Sequence, residues 1–422
     1  MLIKRELMEA VIKHLKEPEI TLLVGARQVG KTMLLKMLKE YLVEEEKMEP
    51  ECILFFNLDI VKDWELFQNQ PDFISYLRSR AVKKLVVMVD EAQKVPNCAS
   101  FFKGVYDSQL PVKLVLSGSA SFELKSKLKE SLSGRKKVFN LESFSFLEYL
   151  KAKDLELCKL IKNGKSVSHP DRRSLISHYK KYLLWGGYPR VVLSKTNKQK
   201  IDILAEIYSS YIDRDIVGFL EVKNKLRFSN LVKLLAGQIG SLINLSELSA
   251  SSGLDRDTTE RYLNALTETF VITPLYPYYT NPRQEIIKQN KYYFKDSGIR
   301  NYAQENYAKM ETRADRGFLF ENNIIKELVL LRNPFTQLRF WRTKQGAEVD
   351  FIVVEQRSKL IPVEAKLQLN KPSVSLGLRS FIKKFNPKKA VVVNLGIYEQ
   401  EMKVDRTRVF FVHPFELDNY LS

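Results

Sequence analysis

Three short stretches near the front of the chain are almost wholly apolar: ITLLV at residues 20–24, LVVMV at 85–89 and VKLVL at 112–116. Each is the length of a buried strand and ends in glycine, acid or serine. Between the first two, MLLKMLKEYL places apolar residues three and four apart, the spacing of an amphipathic helix. Further on the period changes. FSNLVKLLAGQIGSLI, NLSELSASS and SGLDRDTTERYLNALTETF predict three helices, followed by two β-like segments, VITPLYPYYT and KYYFKD. After residue 316 comes a helix, GFLFENNIIKELVLL. Three strands follow (residues 338–343, then EVDFIVV and KLIPVEA), then a helix, SVSLGLRSFIKKF, and a buried strand, KKAVVVNLG.

A chain of 422 residues is long for one domain, and its 45% apolar content allows each part a core. The formal charge of +18 and a pI near 9.5 favour a polyanionic partner, nucleic acid ahead of a membrane. Cys52, Cys98 and Cys158 stand far apart, as do the four histidines, which argues against disulfide, zinc or histidine-metal chemistry. The N-terminal segment lacks a signal peptide's apolar run, and no stretch approaches membrane-spanning length. A cytoplasmic protein with no membrane partner is expected.

The strongest motif is GARQVGKT, residues 25–32, set between a predicted strand and a predicted helix. It fits GxxxxGK[ST], in which backbone N–H groups and the helix N-terminus cradle phosphates. Gly25, Ala26, Arg27, Gln28, Val29, Gly30, Lys31 and Thr32 are therefore expected to bind ATP. Lys31 would reach the β- and γ-phosphates and Thr32 would ligate Mg2+. The strand LVVMV runs directly into Asp90 and Glu91. Asp90 is expected in the magnesium shell, with Glu91 orienting and deprotonating a water. The third strand ends in SGSAS, where Ser119 or Ser117 is a candidate γ-phosphate contact, with helix capping the alternative.

Phosphate loop, Asp-Glu strand and polar strand in this order resemble AAA+ and related P-loop ATPases over about the first 150 residues. The resemblance implies a parallel sheet flanked by helices, with nucleotide at the carboxyl ends of its strands. It also gives Arg135, in SGRKKVF, the place of an arginine finger offered to a neighbouring copy in a homo-oligomer. The alternative is one solvent-facing base beside Lys136 and Lys137.

Adding GGYPRVV, YIDRDI and EVDF…VEAK extends the resemblance across nearly the whole chain, to prokaryotic ATPases carrying a poorly characterised nuclease-like domain behind the P-loop domain. Alone, Gly186 and Gly187 read as a turn, and residues 211–215 as the polar end of a helix. The three helices and β-segment of 228–280, with KYYFKD after them, suggest a winged helix, a fold whose last helix often enters DNA. Asp255, Asp257 and Glu260 at the start of that helix favour a structural or subunit-contact role instead.

The order helix, three strands, helix, strand matches the core of the PD-(D/E)xK nuclease fold. Asp350 stands for its first acid, Glu364 and Lys366 for its E-x-K, and Glu321 for an additional helix acid. Residues two apart on a strand share a face, so Glu364 and Lys366 would meet one centre. Asp350 and Glu364 with the Ala365 carbonyl, joined by Glu321, would hold Mg2+ or Mn2+, and Lys366 would position or activate the nucleophile. Glu348 shares a face with Asp350. Two alternatives stand beside cleavage: a surface hairpin, and a nuclease-like fold kept for binding.

The expected architecture is thus α/β in three parts: an AAA+-like P-loop domain at 1–150, a helical and winged-helix-like region at 151–310, and a restriction-endonuclease-like domain at 311–422. The expected function is ATP hydrolysis coupled to a DNA-binding domain that cuts or only grips. The alternative is a nucleotide-controlled switch acting on a protein partner, or a loader that binds DNA without cutting it.

Overall fold

A computed structural model describes residues 3–119, 132, 134–162, 167–210, 222, 224–279, 289–331, 335–355 and 359–421. The chain divides into two compact units. The first comprises Met1–Phe144, Glu206–Val222 and Glu268–Phe270; the second comprises Ser145–Ala205, Lys223–Thr267 and Val271–Ser422.

The first unit is built on a five-stranded sheet of β1 (Ile20–Gly25), β2 (Ile53–Asn57), β3 (Leu85–Asp90), β4 (Val112–Ser119) and β5 (Lys136–Asn140). The spatial order is β2-β3-β4-β1-β5, and every pairing is parallel. The apolar runs read from sequence are the three central strands. They are mostly apolar because neighbours flank them on both edges and helices cover the faces. The register brings the end of β1 beside the end of β4, where Gly25 faces Ser119. The helix Lys31–Glu44 springs from that end and buries Leu34, Leu35, Leu38 and Leu42.

The second unit contains an eight-stranded mixed sheet, in the order β12-β13-β11-β10-β9-β8-β6-β7. Its strands are β6 (Ile272–Pro277), β7 (Lys291–Phe294), β8 (Gln337–Arg342), β9 (Glu348–Val354), β10 (Leu360–Ala365), β11 (Lys389–Val393), β12 (Gln400–Val404) and β13 (Thr407–Val412). The helix Arg316–Leu331, β8, β9, β10, the helix Leu376–Phe385 and β11 follow the expected order. The helix Leu376–Phe385 turns Leu378, Phe381 and Ile382 into a core with Trp341, Val349, Ile352 and Val392. Truncating Phe381 there would cost about 3–5 kcal/mol.

The helices Lys225–Gly237, Leu245–Ser252 and Arg256–Glu268 precede a hairpin of β6 and β7, as a winged helix would have it. The hairpin is not a detached wing, however. β6 runs on alongside β8, pairing Tyr276 with Arg339 and Pro277 with Phe340. The sequence gives no local sign of this pairing, since VITPLYPYYT reads only as one of two β-like segments. Gly186 ends the helix His169–Trp185 at a φ of 75°. The Asp296 carboxylate accepts from the Gly187 N–H at 2.8 Å, so the glycine pair is a fastened turn. Residues 211–216, the YIDRDI motif, lie outside the described residues.

Candidate functional site

The loop 25–32 joins β1 to the helix Lys31–Glu44, as its spacing required. A side chain on Gly25 would place a Cβ 2.2 Å from the Leu141 carbonyl oxygen, so the strand can end here only in glycine. Gly30 sits at a φ of 100°, and Gln28 is left-handed at 60° without being glycine. This curl folds Lys31 back, and the residue is 5% exposed. It donates to the Gly25 and Ala26 carbonyls at 3.1 and 3.0 Å. Thr32 is half-buried at the second position of the helix.

Two strands away Asp90 is 1% exposed and accepts a hydrogen bond from the Ser117 hydroxyl. Ser117 thus has the defined role on β4. The Ser119 backbone closes the strand, and its side chain lies outside the described residues. Glu91 follows Asp90 in a left-handed conformation, φ 56° and ψ 42°, and its carboxylate accepts from Gln93 at 2.5 Å. Such backbone costs about 1–3 kcal/mol in a non-glycine residue and clusters where function over-determines it. These donors suit a magnesium nucleotide: a glycine cradle with no room for a side chain at Gly25, a buried lysine, a threonine and a buried carboxylate.

Arg135 stands apart from this group. Its Nε donates to Asp107 Oδ1 at 2.8 Å, and its carbonyl accepts from Ile20, where β1 begins. The loop is at the other end of β1, about 17 Å away for six extended residues. Arg135 therefore does not reach the loop of its own chain.

One supporting residue escaped the sequence. Arg5 is 6% exposed and donates to the carbonyls of Val29, at 2.8 Å, and Glu142, at 2.6 Å. It ties the phosphate loop to the chain beyond β5, with its guanidinium 4.9 Å from the Phe144 ring centre. A lone arginine in an amphipathic N-terminal segment carries no local signal of this.

The second cluster lies in the mixed sheet. Glu364 is 3% exposed; it accepts from Ser375 at 3.0 Å and pairs with Lys366 at 2.9 Å. Asp350 accepts the Ala365 N–H at 2.8 Å across the β9–β10 pair. Burial and the nearby Glu321 raise the Asp350 carboxyl to about 7, against the pull of Lys291 and Lys366. Asp350, Glu364 and Lys366 are thus brought together as expected from their spacing.

The metal expected among Glu321, Asp350 and Glu364 finds no support from the side-chain arrangement. Among the described residues no group of three His, Cys, Asp or Glu is arranged to hold one. The reason is Lys291, the first residue of β7, whose side chain is 1% exposed. Its ammonium lies 2.6 Å from Glu348 and 3.5 Å from Glu321. Tyr293, two residues on and on the same face, donates to Glu321 at 2.6 Å. Burial opposes the Lys291 charge, but Glu321, Glu348 and Asp350 outweigh it and hold its pKa above the ordinary lysine value. A protein cation thus sits on Glu348 and on Glu321, one of the three acids expected to hold the ion. Lys-x-Tyr on one strand face was the available signal, but its partner acids are 30 and 57 residues away.

The parallel sheet, the glycine loop and the acid-tipped strand two places away give the first unit the form of a P-loop nucleotide-binding domain. Comparison with known proteins agrees. Residues 17–150 match a family model described as an AAA domain. Residues 176–310 and 316–415 match two domains of unknown function, DUF8612 and DUF4143. An uncharacterized protein of Mycobacterium tuberculosis is 26% identical over 386 residues, which is 90% of this chain and 77% of that protein. One from Haemophilus influenzae is 24% identical over 424 residues, covering 98% of each.

Among solved structures, the Aeropyrum pernix Orc1 protein in complex with DNA aligns at 12% identity and a TM-score of 0.31, over 72% of this chain and 94% of that one. The Candida albicans Pif1 helicase aligns at 14% and 0.26, over 41% of this chain and 47% of that one, so this chain spans about half the helicase's length. Likeness at those scores carries no argument for this chain. Among the described residues no helix is long and apolar enough to cross a membrane.

Proposed function

We propose that this protein is a magnesium-dependent ATPase whose second unit grips nucleic acid without cutting it. The observation that carries the first half is the Lys31 ammonium, folded against two loop carbonyls with the Asp90–Ser117 pair in the same sheet. The loop N–H groups and Lys31 bind the β- and γ-phosphates. Thr32 and Asp90 hold Mg2+, which when bound offsets phosphate charge. Ser117 fixes the Asp90 carboxylate, and Glu91 orients the attacking water and accepts its proton. Arg135, remote from its own loop, serves the nucleotide of a neighbouring copy. Steady-state phosphate release tests this directly: it requires Mg2+, and Lys31→Ala abolishes it while the protein stays folded. Undiminished turnover in that variant would overturn the assignment.

For the second unit, one observation favours binding over cleavage. Lys291 supplies positive charge to Glu321 and Glu348, so these two acids are satisfied without a divalent ion. The nuclease-like arrangement of Asp350, Glu364 and Lys366 then serves as a rigid scaffold. The charge of +18 supports a nucleic-acid partner. Incubation of plasmid and single-stranded DNA with protein and Mn2+ leaves both intact on this reading, and metal-dependent nicking lost in Lys366→Ala would refute it.

A further inference from the structure

Beside the lysine-filled acid cluster the second unit carries a groove of about 930 Å3, large for a small-ligand pocket. We infer that this groove binds a segment of single-stranded nucleic acid, its bases stacked on Tyr278, Tyr279 and Phe385 and its phosphates met by Arg342, Lys344 and Lys384. The proposal rests on the reading of this unit as a nucleic-acid grip and names where and how it grips.

The chemistry comes from three neighbouring elements. Tyr278 continues β6, held to β8 by its N–H on the Phe340 carbonyl at 2.6 Å. Its ring meets Phe385 edge-on with centroids 5.7 Å apart. Phe385 ends the helix Leu376–Phe385, and Tyr278, Tyr279 and Phe385 are all half-buried, so each ring is anchored in the fold and still open to the groove. The floor is apolar, formed by Phe340 and Trp341, 2% and 4% exposed.

Around this aromatic patch all three charged lining residues are basic, and none of the described lining residues is acidic. Lys384 stands 5.1 Å from the Phe385 ring centre and 6.0 Å from that of Trp341. Lys344 lies in the β8–β9 turn. Neither lysine has an acidic partner among the described residues. Arg342 is set in place by Glu348, at 2.7 Å, and the other oxygen of that carboxylate holds Lys291. The buried cluster thereby fixes an arginine at the groove's rim. Rings fixed in the fold beside two lysines without acidic partners and an arginine held by Glu348 match an unpaired strand, whose base faces are free and whose backbone is anionic; a duplex hides its base faces. A peptide would need main-chain or acid-specific partners instead.

The test measures fluorescence anisotropy of a labelled thymidine 20-mer with the full chain, over a range of salt. Single strands are expected to bind more tightly than a duplex of equal length. Lys344→Glu with Lys384→Glu, both exposed positions, should weaken binding at least tenfold and flatten the salt dependence by about two units of slope. Tyr278→Leu should weaken it about fivefold or more with the salt slope unchanged. Because Tyr278 packs on Phe385, its thermal melt is read alongside, and the charge-reversed pair carries the test if that variant unfolds. Unchanged affinity and slope in the pair, with wild-type binding intact, would overturn the groove while leaving the nucleic-acid reading standing. Absence of binding in the wild type at low salt would sink that reading itself. Equal competition by polyglutamate would point to an acidic protein partner and also overturn the proposal.

Discussion

Each unit buries lysine ammoniums, and the two do so in opposite ways. In the first, Lys31 bonds the carbonyls of Gly25 and Ala26, and Lys113, 2% exposed, bonds the carbonyls of Glu17 and Glu19. In the second, Lys291 bonds the carboxylates of Glu348 and Glu321. A carbonyl dipole solvates an ammonium without cancelling its charge, so a carbonyl-lined lysine still attracts an anion. A carboxylate cancels it, and a lysine between two of them has little charge left to offer. The same side chain at similar burial thus makes an anion site in one unit and a sealed internal charge in the other.

The comparison breaks hardest at Lys291. Lys291→Met keeps the side chain's length, strands Glu321 without its cation and leaves Glu348 only Arg342, so unfolding should become easier by about 3 kcal/mol. Removing the internal cation also opens the acid cluster to a metal. Nucleotide-free Lys291→Met should gain melting temperature on adding Mn2+, and the wild type should not. Equal Mn2+ responses in the two proteins would mean the lysine does not stand in for an ion.

At Lys31 the loss falls on chemistry rather than stability. Removing a preorganised cation from where phosphate charge develops should cut turnover about a hundred- to a thousandfold. Melting should barely change, because the carbonyls it leaves behind are neutral. A large fall in stability with little change in kcat would show that Lys31 is a structural lysine after all, like Lys291.

What the sequence made legible follows from the same contrast. The phosphate loop and the Asp90–Glu91 strand end are local patterns, with every decisive residue within a few positions of a strand that is mostly apolar. The order from the helix Arg316–Leu331 to β11 was readable because each element carries its own period. Asp350, Glu364 and Lys366 met as read, since adjacent antiparallel strands carry them. Lys291 was hidden because its meaning depends on β6 pairing with β8, a contact between segments some 60 residues apart with no local code. Arg5 was hidden likewise, its partner Glu142 being 137 residues away. Ser117 was weighed beside Ser119, and only the register of β4 against β3 gives it Asp90.

The first unit's buried bases also set a pH response. Burial, then Lys113 and Lys137, lower His14 from 6.5 to about 4, and its Nδ1 contacts the Thr21 hydroxyl at 2.8 Å. The folded state holds His14 neutral where the unfolded chain would protonate it. Stability is therefore full above about pH 6.5 and is lost as pH falls toward 4, by about 2 kcal/mol. Urea unfolding at pH 7 and pH 4.5 reads the loss, and His14→Gln should remove most of the difference. An unchanged pH slope in that variant would place the response on other groups.

The smallest energetic effect belongs to Arg135, and it asks whether the anion site of the first unit is complete within one chain. Its ion pair with Asp107 is partly exposed, so Arg135→Ala should change stability by less than about 1 kcal/mol. Its distance from its own loop makes turnover the sharper measure. Chains carrying Arg135→Ala keep an intact loop, and chains carrying Lys31→Ala keep an intact arginine. If the arginine serves a neighbouring copy, each variant alone is slow and their mixture recovers part of the activity, because some loops then face a wild-type Arg135. If Arg135 is only a surface base, the Arg135→Ala protein turns over ATP at the wild-type rate and mixing adds nothing. Turnover per chain in the wild type separates the two again: it rises with protein concentration in the first case and stays constant in the second.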